Sequence, residues 1–434
     1  MGDETSRQWK ETDMMQVLAS AWALLLGMCL LQIGNGMQGT LLGIRGEIEG
    51  FDTFQMSIVM SAYFAGFLGG SRLAPRMIRR VGHVRVFAAL ASLISAVMIL
   101  YPTFTEVWVW TLGRVLIGFC FSAVYVTAES WLNNAATNAN RGQSLSLYMV
   151  VQTAGIVVGQ ALLLTADPSG FVLFVIPSVL VSIAVTPILL SITPTPSFET
   201  TKPMSLRELM GYSPLGCVGM FLLGGVFAAQ FGMAAVYGTQ AGLTVAQISI
   251  FVAMFFVGTV LLQYPIGLIS DRMDRRLLIL IVSAIGAFGA AVGLLMGGHF
   301  TMLLVAAFFV GGMSNPLYSL LLAHTNDFLE YEDMAAASGG LIFINGLGAI
   351  AGPIITGWIM GIFGPAGFFL FIGLLFVALV FYAAYRSTVR KSVAVQDTGA
   401  YVAVTPSYTP VAMEYAQEYA IEAENDGENA TEDR

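Results

Sequence analysis

Five residues suited to binding or proton transfer recur every three or four positions in one apolar stretch. They are Arg114, Gly118, Ser122, Tyr125 and Glu129, and this spacing places them on one face of a helix. A guanidinium, a phenol and a carboxylate on one face could bind an anionic or hydrogen-bonding solute, or carry a proton. Arg114 and Glu129 lie roughly 22 Å apart along the axis, so they do not pair with each other.

Arg114 lies in the middle of its apolar stretch, where an unpaired charge is unfavourable. At the centre of a membrane helix an arginine costs about 2.5–3.5 kcal/mol even on the lenient insertion scale. We therefore expect Arg114 to face a wet cavity or to find carbonyl and amide partners. Two interpretations stay open: a contact with an anionic substrate or a gate, and a structural arginine that ties its helix to its neighbours.

Other apolar stretches carry amide and phenol side chains that could line the same cavity. Such groups form hydrogen bonds inside helical membrane bundles, so helix packing is an equally good explanation for any one of them. The candidates are Gln32, Asn35 and Gln38 in the first stretch, Gln230 in the seventh, and Asn315 and Tyr318 in the tenth.

The composition indicates that a lipid bilayer surrounds these stretches. Of 434 residues 56% are hydrophobic and 11% are charged, far from the roughly 25% charged residues of soluble proteins. Twelve apolar runs are long enough to cross a bilayer as helices, which require roughly 20 residues each. The predicted fold is an all-α membrane protein with twelve transmembrane helices, referred to here as spans 1–12, in two six-helix pseudo-symmetric halves.

An internal repeat supports the two halves. The sequence from Gln55 to Gly66 returns, half a chain length later, as the sequence from Gln247 to Gly258. Parallel repeats of this length are typical of transporters in which two halves face each other across a path. A second repeated pattern carries glycines expected to form a close interface between the halves, namely Gly155 and Gly159 in span 5 and Gly348 and Gly352 in span 11.

The chain divides into five segments. Proline-rich sequence interrupts the apolar pattern between the halves, and polar, acidic sequence follows the last span. The predicted segments are a cytoplasmic lead (1–13), a six-helix half (14–192), a cytoplasmic linker (193–213), a second six-helix half (214–390) and an acidic tail (391–434). Composition predicts a disordered tail, which is either solvated or a regulatory or docking segment.

The basic residues determine the expected orientation. All of the 19 lysines and arginines except Arg45 and Arg114 fall on one side of the twelve-span arrangement. Because cytoplasmic loops carry the excess of positive charge, both termini are expected in the cytoplasm. The predicted location is the plasma membrane, as a multi-pass protein of the bacterial inner membrane.

The sequence lacks the motifs that are typical of several kinds of chemistry. No phosphate-binding Gly-x-x-x-x-Gly-Lys loop occurs, so ATP-driven pumping is not expected. His83 and His299 fall in predicted loops and are expected to be solvated, and the histidines show no metal-ligand spacing. We expect no cofactor, no metal site, no nucleic-acid partner and no enzymatic activity, since no nucleophile–base pair is visible.

The segment from Gly267 to Arg276 resembles the loop signature of the major facilitator superfamily, Gly-x-x-x-Asp-Arg-x-Gly-Arg-Lys/Arg, with Asp274 in place of glycine. The first half carries a weaker copy in which Arg79 stands where the signature has aspartate. In the family this loop takes part in a cytoplasmic gate. The resemblance therefore implies gating roles for Arg79, Arg80, Gly82, Arg85, Arg141, Gly267, Asp271, Arg272 and Arg275.

Arg114-x-x-x-Gly118 resembles the family's span-4 signature, whose arginine is associated with proton-coupled transport. The resemblance covers all twelve spans, and the chain is similar to a bacterial branch with no assigned substrate. Glu129 could supply the anion that Arg79 or Arg80 lacks. We expect charge reversal at Glu129 to weaken the gate.

The leading hypothesis is a monomeric secondary active transporter that moves a small-molecule substrate, with H⁺ as the coupling ion. One alternative is a facilitative uniporter without ion coupling. The other is a non-transporting membrane sensor that signals through its tail. Deleting residues 392–434 separates transporter from sensor, because only the sensor would lose its output.

Overall fold

The computed structural model describes residues 2–135, 141–190 and 204–389, together with Tyr401 and Val404. Most of the predicted linker and of the tail lies outside these residues. The described part is helical, with no strand. The helices are α1 (Gly2–Ile48), α2 (Thr53–Val81), α3 (His83–Thr103), α4 (Val107–Ala135), α5 (Arg141–Leu162), α6 (Val172–Leu190), α7 (Leu206–Tyr212), α8 (Pro214–Ala228), α9 (Ala234–Gln240), α10 (Val245–Ser270), α11 (Arg275–Met296), α12 (Phe300–Asn326), α13 (Tyr331–Phe363) and α14 (Ala366–Val389).

The helices agree with the twelve predicted spans. A single π-helical turn, Ala229–Met233, joins α8 to α9, so these two helices form one span. Within the described residues ten helices are long and apolar enough to cross a membrane. The two others, α1 and α2, are 47 and 29 residues long. The all-α fold with two pseudo-symmetric halves is confirmed.

Two arginine-rich turns mark one end of the helix bundle. We call the end that carries residues 79–85 and 271–276 the basic end, and the opposite end the distal end. The first turn is made by Gly82, whose φ of 86° favours glycine. Near the basic end α7 begins with a capping box, in which the Ser205 hydroxyl holds the pKa of the Glu208 carboxyl below its usual range.

Each half is assembled from close helix pairs in which a glycine of one helix meets the backbone of the other. A Cβ added at Gly118 of α4 would lie 1.9 Å from the carbonyl oxygen of Tyr63 in α2. At the matching place in the second half, a Cβ at Gly311 of α12 would lie 2.3 Å from the carbonyl oxygen of Phe255 in α10. The repeat in sequence is therefore a repeat of helix packing.

The four glycines expected between the halves lie inside them instead. They are Gly155, Gly159, Gly348 and Gly352. A Cβ at Gly159 of α5 would lie 2.4 Å from the carbonyl oxygen of Ile33 in α1, and a Cβ at Gly352 of α13 would lie 2.9 Å from that of Gly225 in α8. The repeat identified these glycines because both halves need the same internal packing, so the expectation of an interface between halves is wrong.

Other residues join the two halves near the distal end. A Cβ at Gly43 of α1 would lie 2.6 Å from the Cβ of Ala235 in α9. Gln240, at the end of α9, donates a hydrogen bond to the Thr53 hydroxyl at the start of α2. These contacts bring the distal ends of the first and second half together.

Helix α2 also contacts α13, from the distal end toward the basic end. The surface of α10 that corresponds to this part of α2 is exposed. The Ser61 hydroxyl donates to the carbonyl oxygen of Ile350 at 2.5 Å, and the Arg72 guanidinium lies 3.9 Å from the ring centre of Phe343. Tyr264 of α10 is the counterpart of Arg72 and is 72% exposed. The two halves therefore differ in how they meet at the basic end.

We predict that Gly118→Ala destabilises the bundle. The added methyl group would meet the Tyr63 carbonyl, and overpacking of this kind costs about 1–3 kcal/mol. The matched control is Gly339→Ala in α13, where a Cβ meets nothing within 4 Å and where alanine favours the helix by about 1 kcal/mol. Thermal unfolding of the purified protein in detergent measures both, and equal midpoints would contradict the close α2–α4 contact.

Candidate functional site

Arg114 is buried between α4, α1 and α2, with 3% of its surface exposed. Its Nη1 donates to Oε1 of Gln38 at 2.9 Å, and its Nη2 lies 3.6 Å from the Met60 sulfur. The guanidinium carbon lies 4.6 Å from the ring centre of Tyr63. Among the described residues its Nε has no hydrogen-bond partner. Arg114 thus ties three helices together and keeps one free donor, so both interpretations of this residue stay open.

From Gln38 a chain of hydrogen bonds runs along α1. The Gln38 amide donates to Asn35 at 3.4 Å, and the Asn35 amide donates to the Tyr125 hydroxyl at 2.9 Å. Tyr125 in turn donates to Oε1 of Gln32 at 2.7 Å, and Nε2 of Gln32 donates to Oε1 of Gln152 in α5 at 2.8 Å. We call these residues and Arg114 the polar chain.

The polar chain unites the first-half candidates, Arg114, Gln38, Asn35, Tyr125 and Gln32. It runs through α4, α1 and α5, and glycine contacts hold α1 and α5 at close distance. At the far end of the chain Nε2 of Gln152 is buried and, among the described residues, has no partner, like Nε of Arg114 at the other end. Both ends therefore present an N–H donor that an acceptor-rich molecule could satisfy.

Glu129 lies one turn beyond Tyr125 and is 2% exposed. Its Oε1 accepts a hydrogen bond from the Tyr148 hydroxyl of α5 at 3.3 Å. The pairing of Glu129 with Arg79 or Arg80 stays a prediction.

In the second half Gln230 lies on the π-helical turn between α8 and α9. Its Nε2 donates to the Ser314 hydroxyl of α12 at 3.2 Å, and Ser314 donates back to Oε1 at 3.3 Å. Turns of this type occur mostly as single bulges at functional sites. The matching part of α1, around Gln38, is regular α-helix, so the repeat did not predict the bulge.

Asn315 and Tyr318 are buried in α12 but belong to separate contacts. The Asn315 amide donates to the Thr259 hydroxyl of α10 at 2.8 Å. Tyr318 packs edge-on against Phe227 of α8, with ring centres 6.0 Å apart. Tyr318 therefore contacts α8 while Asn315 contacts α10, and both contacts lie within the second half.

At the basic end, Arg275 forms a buried ion pair with Asp327, which follows α12. Arg275 also lies within hydrogen-bond distance of the Ser270 hydroxyl and of the Ala323 carbonyl oxygen. Asp327 was not singled out by the sequence, because its partner is distant in the chain. The pair joins the α10–α11 turn to the end of α12.

The other predicted gating residues make different contacts. Asp271 accepts a hydrogen bond from the backbone of Tyr401, and Gly267 contacts the same tyrosine. The side chain of Arg141, at the start of α5, lies outside the described residues. The exposed gating residues are Arg79, Arg80, Arg85, Asp271 and Arg272.

The expectation that His83 is a solvated loop residue is wrong. His83 begins α3, is 1% exposed, and its Nε2 lies 3.0 Å from the Ser130 hydroxyl of α4. The predicted loop is reduced to Gly82, so His83 is covered by α4 and is not solvated. His299, by contrast, is exposed as expected.

A sequence profile of the Major Facilitator Superfamily matches residues 24–237 and 215–408, which together cover most of the chain. The chain belongs to the major facilitator superfamily. The first match covers the first half of this transporter and the second match covers the second half, with an overlap between residues 215 and 237. The family and its fold identify a membrane transporter of a small molecule and not an enzyme.

Bacterial relatives agree with this assignment. The chain is 26% identical over 341 residues to an "Uncharacterized MFS-type transporter YcaD" from Salmonella arizonae, covering 78% of this chain and 88% of that one. It is 28% identical over 362 residues to an "Uncharacterized MFS-type transporter" from Yersinia pestis, covering 82% and 93%. The predicted resemblance to a branch with no assigned substrate is confirmed.

Solved structures share the fold of this transporter. The nucleoside transporter NupG has a TM-score of 0.67 and 15% identity, covering 86% of this chain and 99% of its own. A bacterial homologue of the human lysosomal transporter Spinster, solved in an inward-facing and unoccupied conformation, has a TM-score of 0.65 and 14% identity, covering 94% and 98%. At these identities the likeness concerns the fold alone.

We predict that Tyr125→Phe weakens the first half of this transporter. The substitution removes the hydroxyl that joins Gln32 to Asn35, and an unsatisfied buried polar group costs about 1–3 kcal/mol. The matched control is Tyr385→Phe, since Tyr385 is 59% exposed. A lower thermal midpoint for Tyr125→Phe alone is expected, and equal midpoints would contradict the polar chain.

Proposed function

We propose that this protein is a secondary active transporter that moves a small, acceptor-rich solute by alternating access and is coupled to protons. One observation carries the proposal. The polar chain crosses three helices of the first half, lies within an apolar bundle, and ends at Arg114 and Gln152 in N–H donors that have no partner among the described residues. Groups of this kind are unfavourable within a membrane and mark substrate or ion paths.

The donors favour a solute with acceptor atoms. A carboxylate, phosphate or ring carbonyl could accept from Nε of Arg114, which is held in place by Gln38 and Tyr63. Charge-assisted hydrogen bonds of this kind are stronger than neutral ones. NupG, which shares the fold, is a nucleoside transporter, and a nucleoside base also carries acceptor oxygens, so such solutes belong in the first screen.

Alternating access is supported by the uneven contact between the halves. The distal ends meet through Gly43 and Ala235 and through Thr53 and Gln240. Near the basic end the side chain of Tyr264 is exposed. We assign this arrangement to a state in which the path is closed at the distal end. Opening would then require the halves to rock about their long contact, as parallel repeats allow.

The orientation and the coupling ion complete the proposal. The positive-inside rule assigns the basic end to the cytoplasm of the bacterial inner membrane, with both termini on that side. Glu129 is the buried carboxylate beside Tyr125 and Tyr148, so it is our candidate for binding the proton. The protein would act as a monomer. A facilitative uniporter would show the same substrate range without dependence on a pH gradient.

Transport in proteoliposomes tests the proposal. A panel of nucleosides, organic acids, phosphorylated metabolites and drugs would be screened with and without an imposed pH gradient. We expect flux of at least one solute, accelerated by the gradient. Flux that ignores the gradient would favour the uniporter. A protein that transports nothing in the panel and loses an output when residues 392–434 are deleted would favour the sensor.

We predict that Arg114→Ala abolishes transport while the protein still inserts. The substitution removes the donor for the solute and the link between α4 and Gln38 of α1. Arg114→Lys keeps the charge but not the planar donors, so it should recover little. Arg207→Ala in α7 is the matched control, because Arg207 is exposed. Normal flux in Arg114→Ala would remove this residue from the mechanism.

We predict that Glu129→Gln uncouples flux from the pH gradient. Glutamine keeps the contact with Tyr148 but cannot release or bind a proton. The variant should exchange substrate across the membrane when no gradient is applied, and it should not concentrate substrate when one is. Glu106→Gln, outside the polar chain, is the control. Full gradient-driven accumulation by Glu129→Gln would contradict the assignment of the proton site.

A further inference from the structure

Two residues of the acidic tail are packed against the second half. Val404 is completely buried. Its backbone N–H donates to the Ser319 hydroxyl of α12 at 3.0 Å, and the same hydroxyl donates to the Val404 carbonyl oxygen at 3.1 Å. One side chain therefore satisfies both backbone polar groups of Val404. The prediction of a solvated, disordered tail is wrong for this residue.

Tyr401 makes three further contacts, all with α10 or the residue that follows it. Its ring would lie 2.8 Å from a Cβ added at Gly267, so only glycine allows it to pack so closely. Its hydroxyl accepts from Nε2 of Gln263 at 3.3 Å, and its backbone N–H donates to Oδ1 of Asp271 at 3.0 Å. Burial raises the pKa of the Tyr401 phenol above its usual value, so the hydroxyl stays protonated.

The surface that receives the tail exists only in the second half. The four tail-contacting residues are Gln263, Gly267, Asp271 and Ser319. Their counterparts in the repeat of the first half are Ser71, Pro75, Arg79 and Val126. Each counterpart lacks what the tail uses: the long amide, the missing Cβ, the carboxylate or the hydroxyl. The helix-packing glycines recur in both halves, whereas all four tail-contacting residues differ between the halves. These four residues therefore meet a requirement other than helix packing.

We propose that α10 and α12 form a peptide-binding surface at the basic end and that Tyr401 and Val404 of the same chain are the residues it recognises. The recognised pattern is a tyrosine and a valine three residues apart, with the tyrosine ring over Gly267 and the valine backbone on Ser319. The bound tail contacts the glycine and the aspartate of the loop signature. It thereby restrains the part of α10 that has to move when the basic end opens or closes.

The sequence contains a competing pattern. Tyr408 and Val411 repeat the spacing of Tyr401 and Val404 seven residues later. The backbone contacts do not depend on side-chain identity, and among the described residues Tyr401 and Val404 are the ones that lie on the surface. We therefore assign the site to the first pattern, and a test has to distinguish the two.

Disulfide formation tests the contact directly. Ser319→Cys combined with Val404→Cys, in a chain whose three native cysteines are replaced by alanine, should cross-link upon mild oxidation. The control pairs Val404→Cys with Ser387→Cys, because Ser387 is exposed on α14 near the same end. Rapid cross-linking of the first pair alone is expected. Equal rates for both pairs, or a faster reaction of Ser319→Cys with Val411→Cys, would overturn the assignment.

Proteolysis provides a second test on the full chain with its native cysteines. Chymotrypsin cleaves after tyrosine, and Tyr401, which is half-buried and held against α10, should be cut more slowly than Tyr408. Because burial of an aromatic ring is worth about a tenfold change in occupancy or more, Tyr401 should be protected by about that factor. Ser319→Ala should remove most of this protection, and Ser387→Ala should not. Equal cleavage at Tyr401 and Tyr408 in the unaltered chain would contradict the proposal.

Neither test measures transport. Failure of the tail contact would therefore leave the proposed transport function untouched, and failure to find a substrate would leave the tail contact untouched.

Discussion

The constraint on which the structure depends is the absence of water from the apolar bundle. A backbone or side-chain polar group in such a bundle has to find its partner within the protein. The backbone meets this requirement by forming helices throughout the described residues. Many polar side chains meet it by joining one another, as Arg114, Gln38, Asn35, Tyr125 and Gln32 do in one continuous chain.

The same constraint explains why glycines build each half. Without a strong hydrophobic drive between helices in lipid, close backbone contact provides the attraction. Gly118 and Gly311 allow this contact at matching places, so the two halves share one scaffold. The functional groups, in contrast, differ between the two halves. The polar chain with its arginine belongs to the first half, whereas the π-helical turn at Gln230 and the tail-binding surface belong to the second.

The asymmetry suits a transporter in which one half binds and the other is controlled. Unsatisfied donors on Arg114 and Gln152 lie in the first half. The gate-like ion pair of Arg275 with Asp327, and the tail contact with Asp271, lie in the second.

The sequence by itself determined that a lipid bilayer surrounds the chain. It also determined the helices, the two-half fold, the family and most residues of the polar chain. These follow from local properties, namely apolar runs, helical spacing and the repeat. The tertiary structure alone decided which groups meet. It placed the four repeated glycines inside the halves, covered His83 with α4, paired Arg275 with Asp327 and brought Tyr401 onto Gly267. The physical reason is that these contacts join residues from different helices, and a pattern along one helix specifies a face but not what it faces.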